Sequence, residues 1–402
     1  MRRSMVSIVK GQKAPGEREI DAMVRKAIAL VGGIADIVSP GDTAIINPNL
    51  IAPASPDRGA TTDYRICRSI ANLVKEIGAN PIIAESSAIG VDTEESFTAS
   101  GYNELRTQGF EVIDLKKSKT VKVPVPKGRV LKELDLPEVV VKAKAIISVP
   151  VMKTHDQVLA TLSLKNMKGL LPDTLKKKFH TTYGVFQAVA DLNTVVRPAL
   201  AVVDGIIGQE GLGPLFGTPI EMDLIVAGKD PVAVDSITGL VMGIAPEQIE
   251  TTKYAAELGI GVMDPELIEV VGEPMSKVER RFKLASEAIC ESIRFPEGFE
   301  LIFNEKACTG CRNGVLSVLR DLSIEGQLDK ARDLRIIAGQ MDEAPLPGNK
   351  TLLVGACTAR FKDHGIFVKG CPPNNVDIIS AITGKSGHDF FSQLPQQDEP
   401  SK

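Results

Sequence analysis

The chain has 402 residues, with 51 acidic and 47 basic side chains and a formal net charge of −4 at pH 7. A general nucleic-acid-binding protein carries a basic surplus, so this charge argues against that class, although it allows a local basic site. Hydrophobic residues make up 43% of the chain and charged residues 24%, a composition that supports a large buried core. The length suits two or three domains.

The N-terminal residues and the lengths of the apolar runs predict a cytoplasmic protein. The segment MRRSMVSIVKGQ is basic but lacks the apolar stretch of a signal peptide, and runs such as AIISVPVM are shorter than a membrane span. In the cytoplasm we expect the six cysteines to be metal ligands, redox groups or core residues rather than disulfides. We expect neither a nucleic-acid nor a membrane partner, and a homo-oligomer is left open.

The first two-thirds of the chain alternates continuous apolar runs with amphipathic segments. Apolar runs that end at Pro, Gly or polar residues predict strands buried on both faces of a parallel sheet. These runs are residues 44–50, 80–87, 110–115, 143–151, 199–205 and 222–228. The segment YRICRSIANLVKEIG has an apolar stripe and ends at Gly78, which predicts a helix between two strands. The alternation predicts an α/β fold with a layered, mostly parallel sheet flanked by helices.

Changes in composition predict the domain boundaries. Residues 1–275 are predicted to form an α/β domain that binds an anionic substrate, and the charged segment 276–297 a linking helix. Residues 298–385 hold four of the six cysteines and are predicted to form a smaller α/β or α+β domain. The polar, proline-containing residues 386–402 are predicted to be a disordered tail.

The densest chemistry lies in VPVMKTHDQVLATLSLKNMKGLLPDTLKKKFH, residues 149–180. Lys153 and His155 follow a predicted strand directly, and ligands of open α/β sheets bind beyond the carboxyl ends of strands. We therefore expect Lys153 and Lys165 to neutralise a carboxylate or phosphate, His155 to donate a proton near neutral pH, and Asn166 to bind the substrate. For the three lysines of LKKKF, a solvated helix face is the favoured interpretation.

A glycine-rich segment, VVDGIIGQEGLGPLFGTP, follows another predicted strand. It matches neither the dinucleotide-binding fingerprint nor the G-K-[ST] of a phosphate loop. Its backbone N–H groups can still converge on an anion, or the glycines only permit a tight loop. The candidate substrate-binding residues here are Gly208, Glu210, Gly211 and Gly213. Further on, a helix is predicted to begin near Asp230 and Pro231, and its Asp235 either faces the site or favours the helix dipole.

Four segments together resemble a known family: GDTAIINPNL, VPVMKTHDQVLATLSLKNMKGLLP, VDGIIGQEGLGPLFGTP and AGKDPVAVDSITGLVMG. They are similar to the prokaryotic family called domain of unknown function 362, over roughly residues 5–275. Members of that family often carry ferredoxin-type iron–sulfur segments, so the resemblance implies a cofactor rather than a reaction. This chain lacks the dense C-x2-C-x2-C-x3-C-P run of a two-cluster ferredoxin module. A fainter likeness to lactate-racemase-type proteins suggests an analogy to racemase or hydride chemistry.

Four cysteines have the spacing of a metal site. Cys308, Cys311, Cys357 and Cys371 follow the pattern C-x2-C-x45-C-x13-C, and four thiolates suffice for a 4Fe-4S cluster or a tetrahedral zinc ion. Zinc ribbons usually repeat the C-x2-C pair, whereas here the last cysteine precedes a proline, which favours the cluster. Structural zinc, a 2Fe-2S centre and thiol redox chemistry are the alternatives.

The remaining sulfur and histidine candidates have simpler interpretations. Cys67 lies beside the apolar stripe of its predicted helix and is expected in the core, and Cys290 is expected to be structural. His364 is a substitute ligand or, more simply, a surface residue. His180 is as consistent with a site as with a structural role.

The leading hypothesis is an iron–sulfur oxidoreductase that acts on a small anion and receives electrons from a transfer partner. The first alternative is a non-redox isomerase or transferase acting on a carboxylated or phosphorylated substrate, with a structural zinc site. The second is a redox-sensing or scaffold module without catalysis. Metal analysis separates the first two, because stoichiometric zinc without iron favours the non-redox enzyme.

Overall fold

The computed structural model describes residues 4–304, 307–346 and 350–385, which divide into two compact units. The first unit comprises the residues up to Phe179 and then Val185–Ala285. The second comprises His180–Gly184 together with the residues from Ser286 onward. The first unit therefore extends past residue 275. The predicted tail, 386–402, lies outside the described residues.

The first unit alternates strands and helices. Its strands are β1 (Ser4–Lys10), β2 (Thr43–Pro48), β3 (Asn80–Glu85), β4 (Glu111–Asp114), β5 (Thr120–Pro124), β6 (Glu133–Pro137), β7 (Ala145–Val149), β8 (Val151–His155), β9 (Leu159–Thr161), β10 (Leu200–Glu210), β11 (Thr218–Gly228) and β12 (Ile268–Gly272). Its helices are α1 (Glu17–Leu30), α2 (Tyr64–Glu76), α3 (Thr93–Ala99), α4 (Asn103–Thr107), α5 (Glu138–Lys142), α6 (Ser163–Asn166), α7 (Asp173–Lys178), α8 (Val185–Asn193), α9 (Pro231–Val241) and α10 (Glu250–Glu257).

The described strands of this unit form a ten-stranded sheet, and β5 and β6 form a separate hairpin. The order along the sheet is β12-β1-β11-β10-β7-β2-β3-β4, with β8 paired to β10 and β9 paired to β8. Most pairings are parallel; the antiparallel ones are β1–β11, β10–β11 and β8–β9. The predicted layered, mostly parallel α/β fold is confirmed.

Helices cover both faces of the sheet. On one face, α1 and α2 pack Ile20 and Ile66 into a core that includes Val202 of β10. The next residue along that strand, Val203, enters the core of the opposite face with Ile237 of α9. Side chains alternate along a strand, so a strand covered on both sides reads as a continuous apolar run. This explains why the central strands were recognisable in the sequence.

Capping residues set the ends of two predicted helices. Asp63 accepts a hydrogen bond from the Arg65 backbone N–H and begins α2, and Gly78 with a φ of 85° follows its end. Asp230 accepts from the N–H groups of Val232 and Ala233 at the start of α9. Both helices were predicted from these signals.

Two predicted boundaries need correction. The segment 276–297 was predicted as one linking helix, but α11 covers only Ala285–Ser292, and Ile289 is buried while Cys290 is exposed. The predicted strand 199–205 continues to Glu210 as β10, because Gly208 allows its backbone to approach Met152 of β8. A Cβ at Gly208 would lie 2.7 Å from the Met152 carbonyl oxygen.

The second unit contains a smaller parallel sheet. Its strands β13 (Glu300–Phe303), β14 (Leu334–Ala338), β15 (Lys350–Val354) and β16 (Ile366–Val368) lie side by side in chain order. Helices α12 (Thr309–Ile324) and α13 (Asn375–Thr383) contact each other and bury residues such as Val315, Leu319 and Ile378. Across the residues described in either unit, no helix has the length and apolar character needed to cross a membrane.

Candidate functional site

The carboxyl ends of three neighbouring parallel strands in the first unit carry buried polar side chains. Asn47 and Asn49 lie at the end of β2, Glu85 ends β3, and Ser148 lies near the end of β7. Asn47 and Ser148 are completely buried and Glu85 nearly so. Because this edge of an open α/β sheet is where ligands bind, it is the candidate site of the unit.

Lys153 lies inside β8 rather than in a turn after a strand. Pro150 separates β7 from β8, and the chain then continues as a strand through His155. The Lys153 Nζ donates to Asn49 Oδ1 (2.7 Å), the Ala60 carbonyl (2.5 Å) and the Pro214 carbonyl (3.1 Å). These three acceptors match the three donors of an ammonium group. These contacts give Lys153 a positioning role, and its expected contact with a substrate anion stays a prediction.

Buried His155 and half-buried Lys165 form a pair. The imidazole Nε2 lies 3.3 Å from Lys165 Nζ, and Nδ1 lies 2.9 Å from Asp156 Oδ1. Burial, followed by the charge of Lys165, lowers the pKa of His155 to about 4. With this pKa the imidazole is neutral at pH 7, which disfavours the proton donation expected of it there.

Lys165 is the better candidate for proton transfer. Burial lowers its pKa to about 8, against an opposing effect of Asp156. At pH 7 it is mostly an ammonium group, yet it can lose its proton within the physiological range. In the contact with His155 one nitrogen donates and the other accepts, and the tautomer of His155 decides which does so.

Asn166 joins the strand ends through its amide. Its Nδ2 donates to the Asn47 carbonyl (2.9 Å), and its Oδ1 accepts from Asn49 Nδ2 (3.0 Å). Asn47 in turn donates to Glu85 Oε2 (2.8 Å). Amide hydrogen bonds therefore run from Lys153 through Asn49, Asn166 and Asn47 to Glu85. Asn166, predicted to bind substrate, instead fixes neighbouring strands in the described structure.

Glu85 is a buried carboxyl group that sequence reasoning missed. Burial raises its pKa to about 8, against an opposing effect of the Lys176 charge. A Cβ at Gly169 would lie 2.4 Å from either carboxyl oxygen, so only glycine fits there. Gly169 thus allows the backbone to approach a protein carboxyl group closely. The available signal was the polar ESS that ends a predicted strand.

Lys176 was predicted to lie on a solvated helix face, and this prediction is wrong. It is 5% exposed, and its Nζ donates to the Ser86 carbonyl, to Ser86 Oγ (2.8 Å) and to the Ser87 carbonyl (2.7 Å). Burial lowers its pKa to about 8. Lys177 and Lys178 are exposed, as predicted. The stripe of α7 that carries Leu175 and Lys176 turns inward, and a run of three lysines held no sign of which one does so.

Several basic side chains lie close to one another at this edge of the sheet. We call Lys153, Lys165, Lys168 and Lys176, with His155, the lysine cluster. Burial, then the charges of Lys165 and Lys176, places the pKa of Lys168 well below its usual range. The pKa of Lys153 is also well below its usual range, through burial and then the charge of Lys165. An anionic ligand would relieve this mutual repulsion.

The glycine-rich segment is a hairpin rather than a phosphate-binding loop. Gly208 lies in β10, and the chain turns between Glu210 and β11. Glu210 accepts from the backbone N–H of Lys283 (2.8 Å), while the Gly211 N–H donates to the Lys283 carbonyl (2.7 Å). A Cβ at Gly213 would lie 2.0 Å from the Thr154 carbonyl oxygen. These contacts pack the hairpin against β8 and bring the Pro214 carbonyl to Lys153.

Asp235 supports the cluster indirectly. Its carboxyl group accepts from the backbone N–H groups of Ser163 (2.8 Å) and Leu164 (3.1 Å), at the start of the short helix that bears Lys165. Burial raises its pKa to about 7. Asp235 therefore caps α6, which is neither of the two alternatives expected from the sequence.

The four cysteines follow strands of the second unit at the same edge of its sheet. Cys308 precedes α12 after β13, Cys311 lies in the first turn of α12, Cys357 follows β15, and Cys371 follows β16. Carboxyl ends of parallel strands meet at one edge, so the topology brings all four together. We call this region the four-cysteine edge.

The thiols of the four-cysteine edge influence one another. The pKa of Cys311 is raised, first by its hydrogen bond with Cys308, then by burial and by the charges of Cys357 and Cys371. Cys311 is buried, Cys308 half-buried, and Cys357 and Cys371 exposed. In the parts of the chain that are described, no three Cys, His, Asp or Glu side chains stand at coordinating geometry around one point. Cys67 is buried in the core as predicted, and His364 is exposed.

The fold and the first site define an α/β protein with a cation-rich site at the carboxyl edge of a mostly parallel sheet. Residues 45–238 match the family model described as "Domain of unknown function (DUF362)". The match includes the residues of the lysine cluster and Asp235, and it ends before the four cysteines.

The proteins similar to this chain include the following two. One is "Thylakoid-associated protein sll1697" of Synechocystis sp., 27% identical over 277 residues that cover 65% of this chain and 82% of that protein. The other is the lactate racemase apoprotein from Thermoanaerobacterium thermosaccharolyticum. It superposes with a TM-score of 0.40 and 11% identity, over 96% of this chain and 91% of that one.

Proposed function

We propose that this protein is an iron–sulfur oxidoreductase that acts on a small carboxylate or phosphate anion. The observation that carries the proposal is the position of Cys308, Cys311, Cys357 and Cys371 at one edge of a parallel sheet. Four ionised thiols held close together repel one another, and metal cations remove that repulsion. The lysine cluster of the first unit supplies the reason for an anionic substrate.

One feature of the four-cysteine edge fits a cluster. Gly355 leaves space beside the sulfurs, because a Cβ there would lie 2.7 Å from Cys311 Sγ and 3.9 Å from Cys357 Sγ. The four cysteines would hold the cluster.

A bound cluster would supply electrons one at a time, received from a one-electron carrier outside this chain. A two-electron reduction of the substrate also consumes two protons, and Lys165 is suited to provide one of them. His155 contacts the amine of Lys165 and would hold it in place. Lys168 and Lys176 would add positive charge around the anion, and burial of the cluster strengthens that attraction.

The proposal is tested by measuring whether added anions reoxidise the reduced iron–sulfur cluster. Iron–sulfur-reconstituted protein, reduced with dithionite under anaerobic conditions, is mixed with 2-oxo acids, unsaturated dicarboxylates and organic phosphates. We expect at least one anion to restore the visible absorption in the wild type and not in Lys165→Met. The matched control Lys178→Met removes an exposed lysine of α7 and should behave as the wild type.

Two outcomes count against the oxidoreductase. Stoichiometric zinc without iron would favour the non-redox isomerase or transferase instead. Reoxidation at equal rates in the wild type and Lys165→Met would contradict the role of the lysine cluster.

A further inference from the structure

Five residues interrupt the helical segment that follows the lysine cluster. Phe179–Tyr183 form a π-helical turn between α7 and α8, and Gly184 follows with a φ of 80°. Short π-helical turns are rare and occur often at functional sites. Sequence patterns assigned no role to this segment beyond the open assignment of His180.

The contacts of this segment belong to the second unit. His180–Gly184 group with the residues from Ser286 onward, although α7 and α8 on either side group with the first unit. Gly184 lies directly against the loop that carries Cys371. A Cβ at Gly184 would be 2.9 Å from the Cys371 carbonyl oxygen and 3.5 Å from the Cys371 Cβ.

The loop that carries Cys371 is held from another side by the chain around Cys357. The Gly355 N–H donates to the Val368 carbonyl (3.0 Å), and the Ala356 N–H donates to the Gly370 carbonyl (2.7 Å). The loops after β15 and β16 are thus joined by backbone hydrogen bonds. Gly184 contacts Cys371 itself, which is the last of the four cysteines along the chain.

We propose that the segment His180–Gly184 is a structural part of the four-cysteine metal site and sets the conformation of the Cys371 loop. This inference rests on the proposed function, because it requires that the four cysteines bind a metal centre. Gly184 is a positioning residue here. Its missing side chain allows the segment to close against Cys371, so that the sulfur of Cys371 can join the other three.

The test compares two glycine substitutions with similar backbone strain. Gly184→Ala introduces both an unfavourable positive φ and a clash with the Cys371 carbonyl group. Gly326→Ala, in the second unit at a φ of 63°, has no atom within 4 Å of the new Cβ. After reconstitution with iron and sulfide, we expect Gly184→Ala to retain metal about tenfold more weakly than Gly326→Ala under a chelator challenge. Equal retention by the two variants would overturn the inference.

A second measurement uses the wild-type protein and does not depend on a variant that folds. Hydrogen exchange is followed with and without iron and sulfide loading. Peptides that contain 308–311, 357 and 371 should gain protection, and the peptide that contains 180–184 should gain it together with them. Protection at the cysteine peptides alone would overturn the inference and leave the proposed metal centre intact. A wild-type protein that binds no metal would remove the basis of both.

Discussion

The side chains of the lysine cluster lie close together and are shielded from water by the surrounding protein. All five of its members have pKa values lowered mainly by burial. The amine of Lys153 donates to three oxygens, whereas that of Lys165 contacts a neutral imidazole. Lys165 is therefore the residue whose protonation state an anion would change most directly.

Anion affinity should depend on the protonation of Lys165. Its amine is charged below a pKa of about 8 and loses its charge above it, so binding of inorganic phosphate or a 2-oxo acid should weaken above pH 8. The affinity should fall by up to about tenfold per pH unit there, as for any ligand that needs one bound proton. Calorimetric titration between pH 6 and 10 measures this.

The variant Lys165→Met provides the control for that pH dependence. Loss of one charged hydrogen-bond donor should weaken anion binding about tenfold to a hundredfold at pH 7. It should also remove the decline above pH 8. A decline that persists in Lys165→Met would mean that another group controls the affinity.

Glu85 should make the folded state less stable as the pH rises through the neutral range. Its pKa is about 8 in the folded protein, against an ordinary glutamate value of 4.5, so the folded state holds its proton more tightly than the unfolded chain does. This contribution to stability is complete below pH 4.5 and is lost as the pH approaches 8. Glu85→Gln mimics the protonated group, so its melting temperature should rise relative to the wild type between pH 5 and 8.

The matched control for Glu85 is the exposed carboxyl group of Glu111. Glu111→Gln should show a difference from the wild type that does not change over the same pH range. Thermal unfolding followed by circular dichroism at several pH values distinguishes the two. If the melting temperatures of Glu85→Gln and the wild type changed with pH in parallel, the claim that folded Glu85 holds its proton up to a pH of about 8 would be wrong.

At the scale of elements, short helices and hairpins position the site residues. Helix α6 has four residues, too short to be stable by itself, and it carries Lys165 and Asn166. The carboxyl group of Asp235 satisfies its first two N–H groups, and Ser163 Oγ donates to the same carboxyl group at 2.5 Å. The position of Lys165 thus depends on a residue from α9.

Removal of this cap should reduce stability and anion affinity together. Asp235→Ala leaves buried donors without an acceptor, which should lower the free energy of unfolding by about 1–3 kcal/mol. Asp235→Asn retains one carbonyl acceptor and should lose less of both properties. Denaturant titration measures the stability, and phosphate binding measures the anion affinity. If Asp235→Ala were less stable but bound phosphate as tightly as the wild type, Asp235 would not position Lys165 for anion binding.

The sequence predicted the elements that are buried along their whole length. It did not predict features that depend on contacts between residues distant in the chain. Strands buried on both faces and helices with Asp caps were predicted close to their observed bounds. The hairpin of β10 and β11 was not, because the role of Gly208 depends on Met152, which is distant in the chain. The burial of Lys176 depends in the same way on Ser86 and Ser87. Glu85 was missed because a single acidic residue at a strand end has no distinctive pattern.

At the scale of the whole molecule, each of the two units carries its candidate site residues at the carboxyl ends of parallel strands. In the first unit these are lysines and amides, and in the second they are the four cysteines. The C-x2-C-x45-C-x13-C spacing could be recognised from the sequence alone. Two of its cysteines follow strands of the second unit. The contact of Gly184 with Cys371 was not readable, since 187 positions separate them in the numbering of the chain.

Metal content tests the central claim most directly. Iron, acid-labile sulfide and zinc are measured on anaerobically purified and reconstituted protein, for the wild type, Cys311→Ser and the control Cys290→Ser, whose cysteine is exposed and outside the four. The account predicts about four iron and four sulfide per chain in the wild type and Cys290→Ser, as in a 4Fe-4S cluster, with a clear loss in Cys311→Ser. A colourless wild-type protein without iron, or one with stoichiometric zinc, would contradict it.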